Sequence, residues 1–446
     1  MIKKYHQLII GLVNQFFNIL SPFIITLIGL KYLDIEQGSI WLIFLSMMVL
    51  INLFDFGLSP TTIRNVSYVI GGAQSLAKNG INTASHNKDI SYPLFVRLLS
   101  DVKKLYSCIT VIAFFLIVIG GGGYFYFISP IELKYHILLA WIIYSVGLLL
   151  NLYFLYYTPI LCGLGVIQHA YFSNIIGRFS WLIATILAVF YYPTLVGLSV
   201  SFLVSVLVNR LVIFYYFNNN EYIVKSKDIL GHHESTIPYI AHNTLKLGVV
   251  SLGSFMISRS TVLIAGAFLP LTIAGEYTFS LQVYMALLAV GNVFVTVKVP
   301  ELARLVLKDD KRELRELITK VLVFSAGIYT SGFILFYLLS EYVIKIIHPK
   351  VGFLDDKYLF ILGVIFFLEL MHSICATIIT TTNKVPFVKP AILSGLLIVV
   401  SSFILLKYTD SGVIGLIVAQ GLIQLMYNNW KWPVFVYKEF FTDDKY

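Results

Sequence analysis

Two arginines lie inside apolar stretches of the sequence, where a charged side chain is costly. Arg259 is near the middle of the stretch 247–269, and Arg178 lies one to two turns in from one end of the stretch 173–193. A guanidinium at mid-membrane depth costs at least about 2.5–3.5 kcal/mol on insertion scales and is rarely left facing lipid. Because its planar fork of N–H donors matches phosphate and carboxylate oxygens, these residues predict an anion site in a polar interior.

Three more cations lie at the ends of apolar stretches, at the side that we predict to be cytoplasmic. They are Arg64, Arg210 and Lys298. A cation at this depth can reach water, so each one alone is typical of a membrane anchor. If they converge with Arg178 and Arg259, they form a cationic pocket suited to phosphate. Both interpretations stay open.

Two acids inside apolar stretches also need an explanation. Asp55 either closes a helix and pairs with Arg64, or takes part in coupling transport to an ion. Glu369 either neutralises Arg259 or takes up and releases a proton. His372 lies three residues further along the same helical face and belongs to the same hypothesis.

Uncharged polar residues form stripes at helical spacing in two of the stretches. Asn14 and Asn18 are four residues apart in the first, and Ser254 and Ser258 are four apart just before Arg259. Such stripes make hydrogen bonds between helices or line a wet cavity. We interpret these four as candidate cavity-lining residues.

The elements that must position these residues are membrane-spanning helices. The chain of 446 residues is 58% hydrophobic and only 12% charged, whereas soluble domains carry about 25% charged residues. Apolar stretches long enough to cross a bilayer should be helices, because each must satisfy its own backbone polar groups. The sequence predicts twelve: 8–31, 39–58, 106–128, 137–162, 173–193, 195–216, 247–269, 277–299, 318–340, 358–380, 389–407 and 412–429.

The basic residues divide unevenly between the two sides of these spans. With the N-terminus inside, 23 of the 32 basic residues fall in cytoplasmic loops, tails or inner span ends, 6 fall on the outer side, and 3 lie further inside spans. This excess on one side is the positive-inside pattern and predicts that both termini are cytoplasmic. It also accounts for the formal charge of +9, so we expect no nucleic-acid partner.

A polar segment divides the twelve spans into six and six. The sequence predicts an N-terminal half at 1–217, a cytoplasmic linker at 218–245, and a C-terminal half with a short cytoplasmic tail at 246–446. The expected fold is an all-α membrane protein with two six-helix halves around a central cavity. The outer loops are short, and the longest, at 341–357, is too small to form a domain.

Motifs of soluble enzymes are missing from the sequence. It contains no GxxxxGK[ST] nucleotide loop, no HExxH and no CxxC. We therefore expect neither an enzyme nor a bound metal or cofactor. A membrane-embedded polysaccharide polymerase stays as a minor alternative, although such an enzyme usually needs a long outer loop.

Two local motifs resemble those of a known family. The run LFDFGL at 53–58, followed by RNVS at 64–67, resembles the aspartate–glycine signature closing the second span of O-antigen and related polysaccharide flippases of the Wzx type. The run GEY at 275–277, followed by a span ending in Val-Pro at 299–300, is similar to the start of their second half. The family belongs to the multidrug, oligosaccharidyl-lipid and polysaccharide exporter superfamily.

This resemblance implies a function and partners. It implies that an undecaprenyl-pyrophosphate-linked oligosaccharide crosses the bacterial inner membrane by alternating access, without catalysis. A polymerase and a chain-length regulator of the same pathway would be partners, and Arg259 lies on the seventh span, where the family often carries charged groups. The competing hypothesis is a cation-coupled multidrug exporter of the same superfamily.

Overall fold

The protein is all-helical in the residues that its computed structural model describes, which are 2–76, 89–230, 234–308, 311–382 and 385–442. The helices pack into two compact units. The first comprises Met1–Leu33 and Phe44–Ser251, and the second comprises Asp34–Ile43 and Leu252–Tyr446.

The first unit contains most of the helices that precede the linker. The helices are α1 (Ile2–Tyr32), the end of α2 (Ile35–Met47), α3 (Leu50–Asp55), α4 (Leu58–Ile70), α5 (Tyr92–Phe114), a π-helical turn (Phe115–Gly121), α6 (Gly122–Ile128), α7 (Lys134–Tyr153), α8 (Tyr157–Gly163), α9 (Ile167–Tyr191), α10 (Leu195–Asn218), α11 (Glu221–Ser226) and the start of α12 (Ile237–Ser258). Helix α9 packs against α1 and α10, and α10 packs against α7.

The second unit contains the remaining helices and the start of α2. They are the end of α12, α13 (Ser260–Phe268), α14 (Leu271–Lys308), α15 (Lys311–Ile347), α16 (Asp356–Thr380), α17 (Val388–Tyr408), α18 (Gly412–Met426) and α19 (Asn428–Phe441). Helix α14 packs between α15 and α16, α19 packs on α16, and α17 contacts α13 and α18.

The predicted spans correspond to the long apolar helices. Among the described residues, ten helices are long and apolar enough to cross a membrane, and the bent pair Gly248–Ser258 and Ser260–Phe268 makes an eleventh. The twelfth predicted span, 412–429, contains α18, which at 15 residues is shorter than the others, and the first residues of α19. The all-α membrane fold is confirmed.

Two segments that the sequence marks only as polar loops are partly helical and packed. The segment 59–105 contains α4 and the first half of α5. The linker 218–245 contains α11, and Ile223 and Ile240 are buried in one apolar cluster with Phe95, Leu98 and Tyr106. Residues 231–233 of the linker lie outside the described part. Hydropathy missed these helices because they are amphipathic and shorter than a span.

Candidate polar site in the helices

Arg259 lies where the seventh predicted span is interrupted. Helix α12 ends at Ser258, α13 begins at Ser260, and the two are bent by 40°. Arg259 itself has φ −131° and ψ −21°, outside the helical range, although its N–H still donates to the carbonyl of Phe255 at 2.9 Å. The sequence predicts one continuous helix here, which is wrong at Arg259.

Serine side chains explain the interruption. The hydroxyl of Ser258 donates to the Ser254 carbonyl at 2.8 Å, and that of Ser260 donates to the Met256 carbonyl. Hydroxyls that bond back one turn compete with the backbone ladder and bend helices. The two predicted cavity-lining serines differ in exposure, since Ser254 is exposed and Ser258 is partly exposed.

Close helix packing holds α12 just before Arg259. A Cβ at Gly253 would lie 2.9 Å from the carbonyl carbon of Ala391 on α17, and one at Gly395 would lie 2.7 Å from Cβ of Met256. Two glycines thus let the backbones of α12 and α17 approach closely. The helix is therefore fixed on one side within a turn or two of the bend.

The guanidinium of Arg259 has no hydrogen-bond or ion-pair partner among the described residues. Its side chain is partly exposed, and no ion pair joins it to Glu369 in that part of the chain. A cation at this depth without a protein partner is a candidate ligand for an anion. Neutralisation by Glu369, one of the two sequence hypotheses, is not what the structure shows.

Arg178 belongs to an amide cluster between α9 and α1. Its Nε donates to Oδ1 of Asn18 at 3.3 Å, and Asn174 donates to the same oxygen at 3.4 Å. The guanidinium lies 5.5 Å from the ring of Trp181. Asn14, one turn from Asn18, is buried, and its Oδ1 has no partner in the described residues. Sequence reasoning missed Asn174, although it precedes Arg178 by four residues.

The other three predicted cations are placed differently. Arg210 is buried and donates from both terminal nitrogens, to Asn151 and to the carbonyl of Phe154 at 3.2 Å. That carbonyl lies at the break between α7 and α8, so Arg210 caps a helix end. Lys298 forms an ion pair with Glu301 at 2.7 Å, and Arg64 is exposed on α4.

Asp55 is hydrogen-bonded to Ser59 and Tyr106. Its carboxylate accepts from the backbone N–H of Ser59 at 3.2 Å, from the Ser59 hydroxyl at 2.8 Å and from the Tyr106 hydroxyl at 2.5 Å. In the described residues it makes no ion pair with Arg64. Asp55 therefore holds the junction between α3 and α4, through partners that the sequence did not identify.

Glu369 is part of a polar network inside the second unit. Gln424 donates to its Oε2 at 3.1 Å, and Nδ1 of His372 lies 3.5 Å from its Oε1. The side-chain amide of Asn428 donates to Oε1 of Gln424 at 2.7 Å and to the Ser394 hydroxyl at 2.9 Å. The network thus joins α16, α17, α18 and α19. Its two amides, Gln424 and Asn428, are four residues apart, a spacing that sequence inspection could have used.

The fold is shared with solved membrane transporters. No protein-family model matches the chain, and no curated protein matches it either. An inward-facing multidrug resistance MATE family transporter of the MOP superfamily aligns with a TM-score of 0.72 at 13% identity, over 97% of this chain and 96% of that chain. The lipid II flippase MurJ, in an inward closed conformation, aligns with a TM-score of 0.67 at 13% identity, over 97% and 87%.

A third structure agrees with these two. A mutant form of the Vibrio cholerae MATE transporter VcmN aligns with a TM-score of 0.60 at 13% identity, over 98% of each chain. At such low identity the likeness shows the fold alone. The chain therefore has the architecture of MATE transporters and MurJ, and it is a multi-pass membrane protein.

Proposed function

We propose that the protein is a flippase for an undecaprenyl-pyrophosphate-linked oligosaccharide, an O-antigen or capsule repeat unit. It would move this lipid from the cytoplasmic to the outer leaflet of the bacterial inner membrane by alternating access. The observation that carries the proposal is the guanidinium of Arg259, which lies at a bend in an apolar helix and has no partner among the described residues.

The pyrophosphate is the part of the substrate that this arginine would bind. Phosphate oxygens accept charge-assisted hydrogen bonds from guanidinium, and these are stronger where water is scarce. Arg178 is the second candidate, because in the described part of the chain its one hydrogen bond runs from Nε to Asn18, beside the ring of Trp181. We leave Arg210 and Lys298 out of the proposed contact, since each is held by a protein group. Arg64 could meet the headgroup only at the surface.

The neighbouring folds support a lipid-linked substrate and leave one rival. MurJ is named a lipid II flippase, which makes lipid-linked cargo compatible with this architecture. A polymerase and a chain-length regulator of the same pathway would be this protein's partners. Glu369, with His372 and Gln424, is the proposed proton-coupling group, because a carboxyl in an apolar span beside an imidazole can take up and release a proton.

Replacing Arg259 tests the proposal. Arg259→Ala should abolish surface glycan in a deletion strain, while the protein stays in the membrane at wild-type abundance. Arg312→Ala is the matched control, because it removes the same charge from an exposed position at the start of α15. Normal glycan display in the Arg259 variant would contradict the proposal.

The rival is a cation-coupled multidrug exporter, favoured by the MATE structures among the neighbours. It predicts a different phenotype for the deletion strain. Sensitivity to cationic drugs should rise while surface glycan stays intact. We rank it second because Arg259 and Arg178 are cations, which repel cationic drugs and attract anions.

A further inference from the structure

The turn between α3 and α4 has an unusual backbone. Phe56 has φ 52° and Gly57 has φ 80°, so two successive residues are left-handed. That region is ordinary for glycine but costly for a bulky side chain such as phenylalanine. The three hydrogen bonds of Asp55 to Ser59 and Tyr106 hold the turn on both sides, which explains how Phe56 is kept in this conformation.

The ring of Phe56 lies in a notch on α12. A Cβ added at Gly248 would overlap Cγ, Cδ1 and Cε1 of Phe56. Gly248 is buried, and because glycine has no side chain, the ring of Phe56 can fill the space beside it. The strained turn therefore presents one aromatic ring to one glycine, 192 residues further along the sequence.

A second contact fixes the start of the same helix. The Asp101 carboxylate on α5 accepts from the Thr236 backbone N–H at 2.6 Å, and from the hydroxyls of Thr236 and Ser235 at 3.0 Å. Helix α12 is therefore held at its start and again at Gly248. Arg259 follows eleven residues after the notch, at the end of the same helix.

We propose that the Asp55–Phe56–Gly57 turn is a positioning element, which sets the placement of α12 through the Phe56–Gly248 contact. The aspartate–glycine motif then has a mechanical role. Asp55 and Gly57 allow the left-handed turn, and Phe56 is the part that acts on the seventh span. The effect on glycan transport rests on the proposed flippase function, whereas the placement of α12 does not.

A double-mutant cycle tests the contact. Gly248→Ala should displace α12, because its methyl group overlaps the ring, and Phe56→Ala should remove that overlap. In the Phe56→Ala background, the methyl group at 248 should therefore displace α12 little. Such coupling between two substitutions is expected only for residues in contact. Gly327→Ala on α15 is the matched control, since a Cβ there meets nothing within 4 Å.

The position of the helix is read without transport. A cysteine at exposed Ser254, in a chain with Cys108, Cys162 and Cys375 replaced, reports on α12 through its rate of labelling by a water-soluble maleimide. We expect Gly248→Ala to change this rate by about fivefold or more, as overpacking shifts a backbone, and the second substitution to reverse most of the change. Gly327→Ala should leave the rate unaltered.

The outcomes separate the two proposals. An unchanged labelling rate in Gly248→Ala, or a changed rate that Phe56→Ala does not reverse, overturns the positioning role. If Gly248→Ala fails to accumulate, recovery of its abundance and labelling in the double variant supports the contact, and failure to recover overturns it. Coupled labelling in a protein whose deletion leaves surface glycan intact supports the positioning role and contradicts the flippase.

Discussion

The cations inside or at the ends of the apolar helices differ from one another in how the protein satisfies each side chain. A charge in a low-dielectric interior is costly unless it is paired or hydrogen-bonded. Arg210 meets this demand with Asn151 and a freed carbonyl, whereas Lys298 is partly exposed and pairs with Glu301. Arg259 has no such partner in the described residues. The sequence shows the depth of a cation but not its partner, so it could not separate these roles.

Asn18 offers a test of whether Arg178 serves structure or substrate. Asn18→Asp would place a carboxylate where the amide oxygen now accepts from Arg178 at 3.3 Å. If Arg178 is structural, the new ion pair should leave transport intact. If it attracts pyrophosphate, transport should fall at least about tenfold, a factor that needs only about 1.4 kcal/mol of lost attraction.

The measurement pairs glycan display with thermal stability. We expect display to fall in Asn18→Asp while the unfolding midpoint of the purified protein stays the same or rises, because the pair lies between α1 and α9. Asn18→Ser, which adds no charge, is the control and should transport better than the aspartate variant. Wild-type display with Asp at position 18 would remove Arg178 from the site.

At the scale of the helices, the length of each apolar stretch in the sequence predicted where the spans lie. It did not predict where the helices are interrupted. A run of about 20 apolar residues requires a helix in a bilayer, and this requirement is local. The bend at Arg259 depends on serine hydroxyls and on α17 packing at Gly253, and the break before α8 is capped by Arg210 from α10. Hydropathy does not encode these hydrogen bonds and packing contacts.

The start of α12 depends on Asp101, which is only 2% exposed. Removing a buried acceptor that serves several donors costs about 1–3 kcal/mol. Asp101→Ala should therefore speed amide hydrogen exchange of the first turn of α12 by about 5- to 140-fold, the factor that this energy gives at about 1.4 kcal/mol per tenfold.

Mass-spectrometric hydrogen exchange in lipid nanodiscs measures this effect. Peptides from the first turn of α12 should exchange faster in Asp101→Ala, and peptides from α9 should not change. Lys225→Ala is the control, because Lys225 is exposed on neighbouring α11 and its pair with Glu221 spans 3.9 Å. Equal protection in wild type and Asp101→Ala would show that Asp101 does not hold the helix.

For the molecule as a whole, charge asymmetry and fold give complementary information. The fold is that of MATE transporters and MurJ, but helix packing alone does not say which end of the molecule faces the cytoplasm. The division of basic residues, 23 against 6, predicts this. Orientation matters for the proposal, because a flippase must receive its lipid-linked substrate where that substrate is made, at the cytoplasmic leaflet.

Two exposed positions in the first unit make the orientation testable. Ile131 lies between α6 and α7 on the predicted outer side and is 88% exposed, and Leu230 follows α11 on the predicted cytoplasmic side and is 91% exposed. Single cysteines at these positions, in a chain without its native cysteines, are thus matched in accessibility. A membrane-impermeant maleimide should label position 131 in spheroplasts and position 230 only after permeabilisation. The reverse labelling pattern would show that the predicted topology is inverted. The side predicted to receive the substrate would then face away from the cytoplasm, which would contradict the proposed transport from the cytoplasmic to the outer leaflet.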